Sequence, residues 1–191
     1  GENQYFQLPQ CTISSNPYGG ATGTYGLLNC IAIQNGAISA VVWFYLPPGG
    51  QGVLLSFQSA QYPKSPYYYT PWLYVGTNGY LYAGDYANGF VQVSTPISSG
   101  WHIAVIEERA ASTSGPYYIA LYLDGNYIGQ SSTSNLPQLF GPANYPYDNI
   151  GTGWAIAWPA TLGGWFFFNG YIALVALYPF VLSSSQVAAI G

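Results

Sequence analysis

Short runs of β-branched and aromatic residues, each closed by glycine, proline or asparagine, recur along the whole chain of 191 residues. Such runs are typical of β-strands separated by turns. The dipeptides Asn78-Gly79, Asn88-Gly89 and Asp124-Gly125 accept the positive φ angles of tight hairpins. The predicted strands are Gly23–Ile33, Ile38–Leu46, Gly52–Gln58, Trp72–Val75, Tyr80–Ala83, Phe90–Ser94, Trp101–Glu107, Tyr117–Leu123, Tyr127–Gln130, Asn149–Trp154, Gly164–Phe168 and Tyr171–Tyr178.

One helix is predicted, at the C-terminus. Ser183 precedes Gln186 by three residues, which is the spacing of a capping box, and apolar residues follow up to Ile190. Many strands and one short C-terminal helix predict an all-β fold, a two-sheet antiparallel β-sandwich.

Four segments, in this order, resemble the laminin-G-like group of concanavalin A-like jelly rolls. Ile38–Phe44 resembles an early strand of that group, Gly100–Val105 a later strand and Ala120–Gly125 a hairpin. Phe168–Ala173 followed by Leu182–Gln186 resembles the closing strand and helix. The resemblance implies a laminin-G-like β-sandwich domain over residues 21-191, of a kind often used to hold sugars, proteins or cell-surface partners. Residues 1-20 fall outside it and form an N-terminal extension.

Charge is scarce, and this excludes some functions. Only 4% of the residues are charged, against roughly 25% in an ordinary domain. Lys64 and Arg109 are the only fixed cations, so the chain lacks the several phosphate contacts of a nucleic-acid-binding protein. Acid unfolding comes mainly from the protonation of carboxylates that stabilise the folded state, and this chain has only six carboxylates. The composition therefore predicts tolerance of an acidic exterior.

The two cysteines, Cys11 and Cys30, are spaced to close a loop of about 20 residues by a disulfide, worth roughly 3 kcal/mol. The alternative is two buried free thiols, which suits a cytosolic chain. The absence of methionine and the charge-poor composition favour an oxidising, extracellular or cell-surface location.

A stretch without charge runs from Gly164 to Leu182 and approaches membrane-spanning length. It contains Asn169, Gly170 and Pro179, and no basic residue flanks it to set an orientation. We therefore expect buried strands here and no membrane span.

Candidate catalytic and metal-binding residues are few. Glu107 and Glu108 are adjacent in a strand, so they point to opposite faces and do not form the carboxylate pair of a glycosidase; beside Arg109 they predict a small exposed charge cluster. His102, the only histidine, is predicted to be a hydrogen-bonded strand residue. Asp148 resembles a rim position where some relatives bind calcium, but a capping role is favoured because no acidic cluster surrounds it. We expect no enzyme activity, metal or cofactor.

Aromatic residues are the most informative feature for function. Three consecutive tyrosines, Tyr67, Tyr68 and Tyr69, cannot all point inward, so at least one lies outside. An exposed tyrosine offers apolar area with a polar tip, which suits either a protein interface or stacking on a sugar ring. The predicted aromatic contact surface consists of Tyr67, Tyr68, Tyr69, Trp72, Tyr145 and Tyr147.

The first functional hypothesis is an extracellular structural subunit that assembles with copies of itself into a filament, a pilus-like fibre or a surface layer. A surface with so little charge favours self-association. The N-terminal extension alternates in the manner of a strand, so it is expected to pair either with a neighbouring subunit or with its own sheet. The assembly residues predicted in this strand are Glu2, Gln4, Tyr5, Phe6 and Leu8.

The alternative is a monomeric carbohydrate-binding or adhesion module of the laminin-G or lectin type. It follows from the family resemblance and the surplus of tyrosine. It predicts a concave aromatic groove with a few polar groups nearby, and a protein that is monomeric in solution.

Overall fold

Two facing antiparallel sheets form the framework of the computed structural model, which describes residues 4–87 and 89–191. The strands are β1 (Phe6–Gln7), β2 (Gln10–Ile13), β3 (Gly23–Gly26), β4 (Ala37–Leu46), β5 (Gly52–Gln58), β6 (Tyr69–Val75), β7 (Leu81–Asp85), β8 (Gly89–Gln92), β9 (Gly100–Ala110), β10 (Tyr117–Leu123), β11 (Asn126–Thr133), β12 (Tyr147–Ile150) and β13 (Tyr171–Tyr178). The helices are α1 (Leu27–Asn35), α2 (Ser184–Ile190) and a short 3₁₀ helix (Gln138–Phe140).

The order of the strands defines a sandwich. The six-stranded sheet runs β1-β12-β5-β6-β7-β8, and the five-stranded sheet runs β11-β10-β9-β4-β13; β2 and β3 form a separate pair. The core lies between the sheets, where Phe44 and Ile106 of one face Phe57 and Leu73 of the other. The predicted all-β sandwich with a short C-terminal helix is confirmed.

The C-terminal helix begins with the predicted capping box. Ser183 Oγ accepts a hydrogen bond from the Gln186 backbone N–H (3.3 Å), and Gln186 Oε1 accepts one from the Ser183 N–H (2.8 Å). The helix then packs Val187 against Val41 and Val105 on the outer face of the five-stranded sheet. The helix therefore covers this part of the outer face.

A second helix was not predicted. Gly23–Ile33 was predicted as one strand, but the strand ends at Gly26 and α1 begins at Leu27, so the prediction was wrong beyond Gly26. The helix is apolar on most sides because it is buried, and this hides the helical period. Gly26 has no side chain to cap α1; Asp148 of β12 accepts the Leu28 N–H instead, at 2.6 Å.

The N-terminal segment pairs within the chain, which is the intramolecular alternative. Phe6 lies opposite Ile150, and Gln7 opposite Asn149, so that β1 extends the six-stranded sheet. The Leu8 N–H donates to the Asp148 carbonyl (2.9 Å). Glu2 of the predicted assembly strand, and Asn88 of one predicted turn, lie outside the described residues.

The disulfide between Cys11 and Cys30 is present and ties β2 to α1, as predicted. The uncharged stretch from residue 164 to 182 contains strand β13 of the five-stranded sheet, but the prediction of buried strands was wrong: Gly164–Phe168 forms only isolated bridges, and no residue of β13 is fully buried. Within the described ranges, none of the helices has the length and apolar character needed to cross a bilayer.

Candidate functional site

An open aromatic cleft of about 470 Å³ lies at one end of the six-stranded sheet. Four segments that are distant in sequence form it: the approach to β6, the hairpin between β7 and β8, the region of the 3₁₀ helix, and the loop from 156 to 159. Seven of its thirteen lining residues are aromatic. The cleft is lined by Tyr67, Tyr68, Tyr69, Asp85, Tyr86, Gly89, Phe90, Gln138, Tyr145, Ile156, Ala157, Trp158 and Pro159.

The rim of the cleft consists of tyrosines held outward by their own backbone. Ser59 Oγ accepts hydrogen bonds from the N–H groups of Tyr67 and Tyr68, both at 3.0 Å, which fixes the turn that presents them. The Tyr67 side chain is 83% exposed, and its ring stands perpendicular to that of Tyr68 with centroids 4.7 Å apart. Tyr86, in the β7–β8 hairpin, is 76% exposed. These rings are therefore ordered apolar surface facing solvent.

The second wall is a loop that tyrosine hydroxyls fasten to the sheet. Tyr69 Oη donates to the Ile156 carbonyl (3.2 Å), and Tyr74 Oη donates to the Pro159 carbonyl (3.0 Å). Between these anchors Ala157 has φ of 63°, a left-handed conformation that a non-glycine residue keeps only when its surroundings enforce it. The wall is thus held in place before any ligand arrives.

Trp158 lies close to the sheet because Gly84 of β7 has no side chain. A Cβ at Gly84 would lie 2.7 Å from the Trp158 ring, which is inside the contact limit. The indole also packs edge-on against Tyr74, with centroids 6.4 Å apart. The glycine therefore sets the width of the cleft at this wall.

The floor is cross-linked by a buried carboxyl group. Asp85 Oδ1 accepts from the N–H groups of Gln138 (2.7 Å) and Ala87 (3.2 Å), and Oδ2 accepts from the Leu139 N–H (2.8 Å). Burial raises the pKa of Asp85 from 3.8 to about 6, against the opposing effect of these three bonds. Since all three donors are backbone groups, Asp85 serves to hold the hairpin and the 3₁₀ helix together.

Tyr145 at the floor carries a polar group with nothing in the protein to bond. Its ring packs on Phe57 (5.4 Å) and Tyr68 (6.0 Å), and its hydroxyl oxygen is buried with no hydrogen bond to the described residues. Burial raises the pKa of this hydroxyl well above its ordinary value, so it keeps its proton. Tyr145 is fully buried at the floor of the cleft, so it carries a hydrogen-bond donor that is protonated and without a partner in the protein.

The structure brings together four of the predicted contact residues, Tyr67, Tyr68, Tyr69 and Tyr145, but Tyr145 is fully buried, so the prediction that it lies on the surface was wrong. Their role in contacting a partner stays a prediction. The surface role predicted for Trp72 was wrong: its side chain is fully buried, and its indole N–H donates to Glu108 Oε2 (2.9 Å). Tyr147 is half-buried and lies outside the cleft lining.

Three aromatic residues of the cleft were not among the predicted contact residues: Tyr86, Phe90 and Trp158. Tyr86 and Trp158 lie in turns near glycine or proline, which is a sequence signal for loops, whereas Phe90 lies in strand β8 directly after Gly89. What the sequence does not reveal is that the β7–β8 hairpin and the 156–159 loop meet at the tyrosine run.

The adjacent glutamates Glu107 and Glu108 lie away from the cleft. Glu107 Oε1 accepts from the Leu182 N–H (3.1 Å) on the outer face of β9, while Glu108 points into the sandwich toward Trp72. The opposite orientation is confirmed, but the predicted exposed charge cluster was wrong because both carboxyls are buried. Burial raises the pKa of Glu107.

His102 and Asp148 have structural roles. His102 Nε2 donates to the Ser98 carbonyl (2.9 Å), and Nδ1 lies 2.8 Å from Asp124 Oδ2, which confirms a hydrogen-bonded strand histidine. Asp148 caps α1, and burial raises its pKa well above the ordinary value. Over residues 4–87 and 89–191, no group of three potential metal ligands comes together.

No family model matches this sequence, and no curated protein matches it either. Similarity is found among solved structures. The carbohydrate-binding module CBM40 of the Ruminococcus gnavus IT-sialidase, bound to alpha2,3 sialyllactose, has a TM-score of 0.58 at 14% identity, with 97% of both chains covered.

Two further structures share the fold. A SAP-like pentraxin from Limulus polyphemus has a TM-score of 0.52 at 14% identity, over 97% of this chain and 73% of the pentraxin. The NanB sialidase of Streptococcus pneumoniae has a TM-score of 0.58 at 12% identity, over 97% of this chain but only 27% of the sialidase. At these identities the comparisons establish the fold, a jelly-roll β-sandwich similar to the concanavalin A-like domains.

Proposed function

We propose that this chain is a carbohydrate-binding module whose aromatic cleft takes a neutral glycan. The observation that carries the proposal is the cleft itself: seven aromatic residues around about 470 Å³. Ligand sites are commonly of this size and mainly apolar, with a few polar groups that fix orientation. The apolar faces of sugar rings fit the tyrosine rim, and the buried Tyr145 hydroxyl at the floor is a donor without a partner in the protein, which a ligand that enters the floor would satisfy.

The absence of cations argues for a neutral sugar. Neither Lys64 nor Arg109 belongs to the cleft lining, and Asp85 carries the one carboxyl group among the lining residues. Recognition of a sugar carboxylate normally uses an arginine fork or a lysine. Sialyllactose carries such a carboxylate, so the CBM40 ligand is not expected to bind here.

The proposal includes a location outside the cell and a binding function without catalysis. The disulfide supports the location, because such bonds persist in oxidising compartments. The oxygens of Asp85 face three backbone donors and cannot serve as a free acid and base pair. Assembly by donation of the N-terminal strand has less support, because β1 already pairs with β12 of its own chain.

The test is binding to an array of neutral and sialylated glycans, followed by calorimetry on the hits. We expect neutral oligosaccharides among the hits and no binding of sialyllactose. Tyr67→Ala and Tyr86→Ala should each weaken binding about tenfold, while Tyr127→Ala, which removes another exposed tyrosine that lies outside the cleft, should leave it unchanged. Preferential binding of sialylated glycans, or equal loss in the Tyr127 variant, would contradict the proposal.

Tyr145→Phe tests the donor at the floor. The substitution keeps the ring and its packing on Phe57 but removes the hydroxyl. We expect weaker glycan binding without any loss of stability, because the buried hydroxyl has no hydrogen bond in the protein to lose. An unchanged dissociation constant would remove Tyr145 from the binding site.

A further inference from the structure

The edge strand β13 has one unpaired side. It ends the five-stranded sheet and pairs with β4 only, from Tyr171 opposite Tyr45 to Tyr178 opposite Ser39. Within the described part of the chain, no backbone hydrogen bond joins its other side to any segment. A row of N–H and C=O groups is therefore open to another strand.

This edge lacks most of the features that keep sheet edges apart. Natural edge strands are usually protected by charge, proline, bulges or short length. β13 spans eight residues and reads Tyr-Ile-Ala-Leu-Val-Ala-Leu-Tyr, with no charge and no proline. Its one irregularity lies between Ile172 and Leu174, so Leu174–Tyr178 remains regularly paired with β4.

The opposite edge of the same sheet provides the contrast. Strand β11 reads Asn-Tyr-Ile-Gly-Gln-Ser-Ser-Thr and is polar over its second half. It also approaches β8 of the other sheet, where a Cβ on Gly129 would lie 3.2 Å from Val91. The sandwich is thus closed on the β11 side and open at β13.

An exposed aromatic patch adjoins the open edge. Tyr171, Tyr45 and Trp101 lie in register across β13, β4 and β9, with ring centroids 6.1 Å and 5.5 Å apart. Leu174 and Trp43 form the next row. Tyr171 is 70% exposed and Trp101 is 54% exposed. We call these five uncharged residues the outer aromatic patch: Tyr45, Trp43, Trp101, Tyr171 and Leu174. Exposed apolar patches commonly mark contact sites.

We propose that two copies of this chain associate through antiparallel pairing of their β13 strands about a two-fold axis. The pairing would join two five-stranded sheets into one of ten strands. A second copy is the occupant that fits, because one pairing satisfies the open backbone groups of both molecules at once. Since neither edge carries charge, no like charges meet, and the outer aromatic patches become neighbours across the junction.

This association is independent of glycan binding. The cleft draws its residues from other segments, and no residue of β13 or of the outer aromatic patch lines it. Both clefts of the dimer would stay open, so the failure of one proposal leaves the other standing.

Sedimentation equilibrium over a wide range of protein concentration tests the mass. We expect a reversible species of twice the mass of one chain. Leu174→Lys should raise its dissociation constant about tenfold or more, because two lysines would lie near each other across the axis. Gln130→Lys, which places the same charge on the opposite edge β11, should leave the constant unchanged.

Amide hydrogen exchange tests the strand pairing directly. With rising protein concentration, the amides of residues 171–178 that point away from β4 should become protected, and those of β11 should not. Circular dichroism checks that each variant is folded. A monomer at all concentrations, an unaffected Leu174→Lys dimer, or a dimer without protection of these amides would overturn the proposal.

Discussion

Oδ2 of Asp148 lies 2.6 Å from the backbone nitrogen of Leu28, so a residue of β12 caps helix α1 across a separation of 120 positions. Gly26 makes the approach possible, because a Cβ at that position would overlap the carboxylate. The contact joins the helix to the six-stranded sheet, and both groups are buried.

Asp148→Ala should destabilise the fold by about 1–3 kcal/mol, because it leaves a buried N–H without its acceptor. Asp148→Asn retains a carbonyl oxygen and should cost less. Urea denaturation of both variants provides the measurement. An equal decrease in the free energy of unfolding for both variants would contradict the view that Asp148 stabilises the fold mainly by accepting the Leu28 N–H.

The free energy of unfolding should fall as the pH rises. Burial raises the pKa of Asp85 from 3.8 to about 6, so the folded state binds this proton more tightly than the unfolded state. The stability linked to Asp85 is complete below the unfolded value and is lost as pH rises through the folded value, by about 3 kcal/mol. The raised pKa values of Asp148 and Glu107 act in the same direction.

Denaturation curves from pH about 4 to about 7 check this dependence. Asp85→Asn should flatten the curve over this window relative to the parent chain. Stability that increases steeply toward neutral pH would contradict the assignment. The predicted acid tolerance thus has a second physical basis besides the small number of carboxylates: the buried carboxyls favour the folded state most when they are protonated.

Removing the disulfide with the double variant Cys11→Ser, Cys30→Ser should lower the free energy of unfolding by about 3 kcal/mol. Because neither cysteine lines the cleft, glycan binding by the folded variant should be unchanged. Calorimetric melting and a binding titration on the same sample separate the two effects. Loss of binding in a fully folded variant would show that the cleft depends on the β2–α1 link.

Trp72→Phe should lower stability by roughly 2 kcal/mol, since it removes the indole donor to the buried Glu108 carboxyl. Glycan affinity should stay the same, in contrast to the cleft variants. This pattern would confirm Trp72 as a core residue. A variant with parental stability and weakened glycan binding would contradict this assignment and show that Trp72 contributes to the binding surface.

Most strands could be predicted from the sequence because alternation and turn residues are local signals. Helix α1 could not, because its cap comes from Asp148 and its apolar sequence fits a buried strand equally well. The resemblance in the Gly100–Val105 and Ala120–Gly125 segments identified the correct fold.

The candidate site was predictable only in part. The run Tyr67–Tyr69 predicts an exposed aromatic surface, because three consecutive side chains cannot all point into the core; the structure presents Tyr67 and Tyr68 on a turn before β6. That Trp158 and Phe90 complete the cleft depends on how the loops meet, and Gly84 matters only once Trp158 lies over it. Burial of Glu107 and Glu108 likewise depends on partners, Leu182 and Trp72, that lie far away in the sequence.

The most direct measurement is an NMR titration of the chain with neutral cello-, xylo-, manno- and malto-oligosaccharides. For a binding sugar, the indole N–H resonance of Trp158 in the cleft and the amides of Tyr67 and Tyr86 should shift in a saturable way. The indole of Trp101, in the outer aromatic patch, should not move. Saturable shifts confined to Trp101, or no shifts with any of these sugars, would contradict glycan binding in the cleft.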